Sequence, residues 1–164
     1  VRWSDDLVLL YEQHYDSLVR LAYLVSGQAP VAEEVVQDAF VKVHRSWDRV
    51  RDPLAYVRTA VINGCRSWGR RQRLERERRP DPPQPTLQEP DELWDALATL
   101  KGRARAAIVL RYYADLPDAE IAEILGCRVA TVRTTIHRDA VLAHATVAIP
   151  GASEASSSPA TSTA

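Results

Sequence analysis

Residues 80–90 read PDPPQPTLQEP, and proline repeated this densely fixes φ and removes backbone donors, so neither a helix nor a central strand persists through the segment. It divides the 164-residue chain into two stretches with separate helical periods, joined by a semi-rigid linker. In the first stretch Leu7, Leu10, Tyr11, Leu18, Leu21, Ala22 and Val25 recur at helical spacing, and Gly27 follows as a stop. Pro30 suits the start of a second helix, with Val35, Ala39, Phe40, Val43 and Trp47 as its inward stripe and Glu34, Gln37, Asp38 and Lys42 outside. After a connector at 47–52, a third helix is predicted from Pro53 through Leu54, Val57, Val61 and Ile62.

Beyond the prolines, Leu93, Trp94, Leu97, Leu100, Ile108, Val109 and Tyr112 resume the helical period, with an interruption expected near Gly102. The predicted fold is therefore all-α. A helical bundle spans 4–79, a linker 80–91 and a second helical domain 92–146. The final residues, 147–164, are rich in Ser, Ala and Thr, bury almost nothing against the entropy of ordering, and are expected to be a disordered tail.

Charge is segregated in this chain. The net value is only −1, but residues 66–79, RSWGRRQRLERERR, hold seven arginines against two glutamates. Some Arg and Glu pairs there are explained as a solvated helix face. Arg66, Arg70, Arg71 and Arg73 have no such local partner, and clustered arginine is what phosphate neutralisation requires. No window approaches the roughly 18 apolar residues of a membrane span, and the N-terminus lacks a basic region followed by an apolar run, so a cytoplasmic location is expected. Cys65 and Cys127 lack metal-ligand or disulfide-framework spacing and are expected as small buried apolar side chains.

Residues 118–140, DAEIAEILGCRVATVRTTIHRDA, have the spacing of a helix-turn-helix. Ala122 is the small residue where two helices touch, Gly126 the turn, and Val132 the apolar anchor, with Ile136 and Ala140 on the same inward stripe. Arg133 with His137, and Thr134 with Arg138, are four apart and point elsewhere, offering donors to phosphates or base edges. An apolar hairpin in an ordinary bundle is the rival reading, but it needs neither a glycine at this turn nor a cationic outward stripe.

The segment IVLRYYADLPDAEIAEILGCRVATVRTTIHR resembles the fourth-region domain of the extracytoplasmic-function sigma factors of bacterial RNA polymerase, in particular their short actinobacterial group. VAEEVVQDAFVKVHRSW resembles the second-region segment that grips the polymerase clamp, and PLAYVRTAVINGCRSWGRRQR the adjoining promoter-melting helix. The likeness covers nearly all of 7–144, in the family's order and with a linker where the family has one. It implies a non-enzymatic subunit without a cofactor, whose partners are core RNA polymerase (β′ clamp and β flap), promoter DNA and an anti-sigma factor.

Carried over by position, Glu34, Gln37, Asp38 and Phe40 would belong to the polymerase-binding surface, Phe40 supporting it from inside. Tyr56, Arg58, Asn63, Arg66, Arg70 and Arg71 would face the minus-ten element, with the 47–52 connector forming a pocket for an unstacked base. Cationic grooves and stacking aromatics are what single strands require. Tyr56 and Trp68 are the candidate stackers, with core packing as the alternative for each. Thr131, Arg133, Thr134, His137 and Arg138 would grip or read the minus-thirty-five element. Pro117 stands where the family usually has a capping Ser, Ala130 where Gly is common and Thr135 where Arg is common.

Two other classes fit less well. An enzyme would have to be built from His14, His44, Glu33, Glu34 and Asp38, and no Glu-x-x-His pair, phosphate loop or activated nucleophile accompanies them. A free-standing helix-turn-helix regulator would bind duplex DNA as a symmetric dimer without polymerase, and leaves the segment around Gln37 without a role.

Overall fold

The computed structural model describes residues 3–78 and 92–144, with side chains in the last helix as far as Asp139. The expected linker and tail lie outside the described residues. Every regular element among those described is helical: α1 (Asp5–Ser26), α2 (Ala29–Ser46), a 3-10 turn (Trp47–Arg49), α3 (Pro53–Arg78), α4 (Glu92–Ala98), α5 (Gly102–Tyr112), α6 (Asp118–Leu125) and α7 (Val129–His144). None is long and apolar enough to cross a membrane.

Local chemistry sets the helix ends. The Ser4 hydroxyl accepts the Leu7 amide at 3.3 Å, and Asp5 and Asp6 place negative charge in the first turn of α1. Gly27 closes that helix with φ 74°, a left-handed conformation that glycine adopts without Cβ strain. Pro30 lies in the first turn of α2. The Asp52 carboxylate accepts the Ala55 amide at 3.0 Å and caps α3, whose first residue is Pro53.

Helices α1, α2 and α3 pack around Leu7, Leu18, Leu21, Val36, Phe40, Val43, Val57, Val61 and Ile62, all buried. Phe40 is fully enclosed, with the Tyr11 ring 5.0 Å away edge-on and Trp3 stacked at 6.3 Å. Of the two adjacent valines on α2, Val36 is fully buried rather than the expected Val35. Half-buried Val35 meets α3 at Gly64, where an added Cβ would sit 2.6 Å from a Val35 methyl. The second group, α4 to α7, buries Leu97, Leu100, Ile108, Leu110, Ile121, Leu125 and Val132. The break expected near Gly102 falls just before it, and Gly102 opens α5. Cys65 is buried as expected, whereas Cys127 is only half-buried because it lies on the turn after α6.

The two groups touch through α1 and α3 on one side and α4, α5 and α6 on the other. Trp94 lies over Gly27 so closely that a Cβ there would fall 2.0 Å from the indole. The Arg105 guanidinium covers that indole, 4.9 Å from the ring centroid, and its Nε donates to the Val25 carbonyl at 3.0 Å. Tyr113 donates its hydroxyl to the Ser17 carbonyl at 3.3 Å, and Arg66 reaches the Leu125 carbonyl at 3.4 Å.

Gly27→Ala is expected to destabilise the protein by more than the roughly 1–2 kcal/mol of a left-handed non-glycine residue, because the methyl also displaces Trp94. In a Trp94→Ala background only the backbone part should remain. A double-mutant cycle by urea denaturation checks this, and strict additivity would show that the two residues do not meet. Burial pushes the Cys65 thiol up to about 12, so at pH 8 iodoacetamide should label Cys127 in the folded protein and Cys65 only after denaturation. Peptide mass spectrometry distinguishes the two sites.

Candidate functional site

The outer face of α2 presents Glu34, Gln37 and Asp38 to solvent, while Phe40 of the same helix is enclosed in the core. Asn63, Arg70 and Arg71 on α3 share with Glu34, Asp38 and Lys42 a groove of about 550 Å³. Acidic side chains stand on its α2 wall and arginines on its α3 wall. Thus α2·α3 packing joins residues assigned to two separate tasks, while Gln37 stands outside the groove lining.

A second hollow, also about 550 Å³, lies at the start of α3 where the 3-10 turn leads into the Asp52 cap. Arg49, Arg51, Asp52, Tyr56 and Thr59 line it. Tyr56 is 37% exposed, so its ring is available at the surface instead of being consumed by the core. Thr59 donates its hydroxyl to the Ala55 carbonyl at 2.9 Å, which fixes its rotamer on the hollow's wall. Arg49 and Arg51 went unmarked in the sequence; their signal was a pair of arginines just before the capping Asp52. Arg58 is half-buried and outside this lining. Trp68 is half-buried and borders both the α2–α3 groove and the cleft between the two helical groups.

Arg66 is placed differently from its neighbours on α3. It turns toward α6, whose C-terminal carbonyl at Leu125 it approaches. Burial, then Arg103, then Arg70 depress its pKa, each disfavouring a further positive charge there.

In the helix-turn-helix, Gly126 has φ 63° and the Cys127 amide donates to the Ala122 carbonyl at 3.0 Å, which turns the chain from α6 into α7. Pro117 supplies no side-chain cap, so α6 begins at Asp118 as its sequence implies. Val132 is buried against α6 and Ile136 is half-buried, while the Ala140 side chain lies outside the described residues. Thr131, Arg133, Thr134, His137 and Arg138 are all exposed on α7. Arg133 is paired with Asp118 at 3.2 Å yet keeps 72% of its side chain in solvent. Arg138 makes two hydrogen bonds of 2.9 Å to the Asp139 carboxylate, which lower the Asp139 pKa and raise that of Arg138. The Asp118 and Asp139 partners were missed at the sequence level, because neither pair has the three- or four-residue spacing of a helical ion pair.

Residues 10–75 match the model of sigma-70 region 2, and residues 91–138 match that of sigma-70 region 4. The RNA polymerase sigma-E factor of Streptomyces avermitilis is 32% identical over 145 residues, covering 80% of this chain and 81% of that protein. The ECF RNA polymerase sigma factor SigL of Mycobacterium tuberculosis is 31% identical over 149 residues, covering 78% of this chain and 81% of its own length. Among solved structures, the sigma factor RpoE in complex with the anti-sigma factor NepR from Bartonella quintana superposes with a TM-score of 0.73 at 21% identity, covering 87% of this chain and 96% of that one.

Proposed function

This chain belongs to the extracytoplasmic-function group of sigma-70 factors, non-enzymatic subunits that direct RNA polymerase to promoters, and we propose how that work is divided among its surfaces. Residues 4–79 form the domain for core polymerase and the minus-ten element, and 92–146 the domain for the minus-thirty-five element. Residues 80–91 link them and 147–164 are a tail. Glu34, Gln37 and Asp38 engage polymerase, with Phe40 holding their helix in place. The observation that carries this reading is the shared groove: polymerase bound along the acidic α2 wall would lie beside Asn63, Arg70 and Arg71, where a separated DNA strand can run.

The hollow at the start of α3 is the site for an unstacked minus-ten base, with Tyr56 as its stacking wall and Arg49 and Arg51 toward the backbone. Arg58 and Arg66 extend the same cationic helix. Thr131, Arg133, Thr134, His137 and Arg138 face the minus-thirty-five major groove; Arg133 reaches DNA by leaving Asp118, and Arg138 by leaving Asp139. An anti-sigma factor masking one or both DNA surfaces, and a cytoplasmic location, complete the proposal.

Asp38→Arg is expected to weaken co-elution with core polymerase while leaving the circular dichroism spectrum unchanged, since the side chain is exposed. Undiminished co-elution would remove α2 from the polymerase surface. Arg133→Ala should weaken upstream recognition by about 1–3 kcal/mol if the guanidinium contacts a base bidentately, and should weaken all upstream sequences alike and lower the salt slope by about one if it contacts phosphate. Replacing Arg70 and Arg71 with Ala should instead reduce permanganate reactivity of unpaired thymines and spare upstream footprints. In vitro transcription with core polymerase measures both, and an exchange of the two phenotypes would reverse the assignment.

A further inference from the structure

The cleft between the two helical groups is lined by Arg66, Arg70 and Arg73 of α3, Lys101 before α5, and Arg103 and Arg105 within it, with no carboxylate in the lining. Its volume of about 470 Å³ lies inside the roughly 300–1,000 Å³ common for small-molecule sites. Among the described residues none of these six cations forms a salt bridge. Asp139 is the acidic group whose ionisation Lys101 favours, and its carboxylate is already held by Arg138. Like charges gathered in one concavity repel one another, and a multivalent anion relieves that repulsion. The Arg66 pKa is depressed first by burial and then by Arg103 and Arg70, so the neighbouring cations add to the effect of burial.

The cleft is also open to a ligand. A Cβ added at Gly69 or Gly102 would meet nothing within 4 Å, so both borders stand clear of other atoms. Helix α5 begins at Gly102 without a side-chain cap, adding the partial positive charge of its first-turn amides to the same rim. Five of the six cations are arginines, whose planar forks match phosphate oxygens. Three stand on α3 and three at the start of α5, and six positive charges exceed what a single phosphate neutralises, so linked phosphates match the charge of the two walls better.

We propose that this cleft is a binding site for a small anion carrying two or more linked phosphates, which fastens the two helical groups together. The site stands on its own geometry. One consequence rests on the DNA-binding assignment above: an occupied cleft withholds Arg66 and Arg70 from the minus-ten element.

The test uses the full chain at fixed ionic strength, titrated with inorganic triphosphate and, separately, with ATP. Calorimetry should show one saturable site for each, with a rise in melting temperature; tighter binding of ATP would add a base contact, and equal binding would confine recognition to the phosphates. Arg103→Glu and Lys101→Glu, both at exposed positions, should each weaken binding at least tenfold, while Arg45→Glu on the distant face of α2 should leave it unchanged. Absence of saturable binding, or equal loss with Arg45→Glu, would reduce the cleft to diffuse screening and overturn the proposal. Bound triphosphate should also lower affinity for a minus-ten oligonucleotide. If triphosphate binds as expected but DNA affinity does not change, the site stands and the assignment of Arg66 and Arg70 falls instead.

Discussion

The contact of α1 with α4 and α5 is the constraint on which the rest of the molecule depends, because it converts two small helical groups into one body. Its centre is Gly27, where a left-handed backbone and a missing side chain together admit the Trp94 indole. Arg105 then serves both groups, covering the indole with its guanidinium and supplying a donor to a carbonyl in the last turn of α1. Arg66 does the converse for α6. Helix C-termini leave carbonyls without intrahelical partners, and each group here lends an arginine to the other's helix end. Such hydrogen bonds exchange for water with a small net change in free energy, so the junction is specific and also separable.

Helix α3 carries three different surfaces along its 26 residues. Its first turns border the hollow at Tyr56 and Thr59, its middle turns the groove at Asn63 and Arg71, and its Arg66 and Arg73 the cleft facing α5. Arg70 borders both groove and cleft, since the helical repeat places it between the two faces. One helix therefore couples the α2–α3 groove to domain docking. A partner engaging either face acts on the same arginine.

Much of this architecture was legible from local signals. The prolines at 80–90 separated the two helical periods, Gly126 marked the turn between α6 and α7, and Phe40 lay at the spacing of a core residue. The sequence reading put Val35 on the inward stripe where Val36 proved to be the enclosed one, since the choice between adjacent valines about 100° apart on a helix depends on where α3 lies. Gly102 read as a break and proved to be a start, since a glycine offers little to distinguish the two ends of a short gap. The junction was not legible at all. Arg105 and Val25 are 80 residues apart, and no spacing rule connects a side-chain donor with a main-chain acceptor at that separation. For the site, the exposed cations were visible as composition, but the pairing of Arg133 with Asp118 across 15 positions required the tertiary turn.

Across the junction Arg105, Tyr113 and Arg66 donate through their side chains, whereas Val25, Ser17 and Leu125 accept through main-chain oxygens. Tolerance to substitution is consequently one-sided. Every amino acid carries the accepting carbonyl, so exchange at Ser17 keeps the bond provided the helix persists, and Val25 and Leu125 are constrained by packing alone. The donors have no such substitute. The hydrogen-bonded part of the interdomain registry is therefore written in three side chains, beside the Gly27–Trp94 contact, and sequence drift can erase that part without disturbing either helical core.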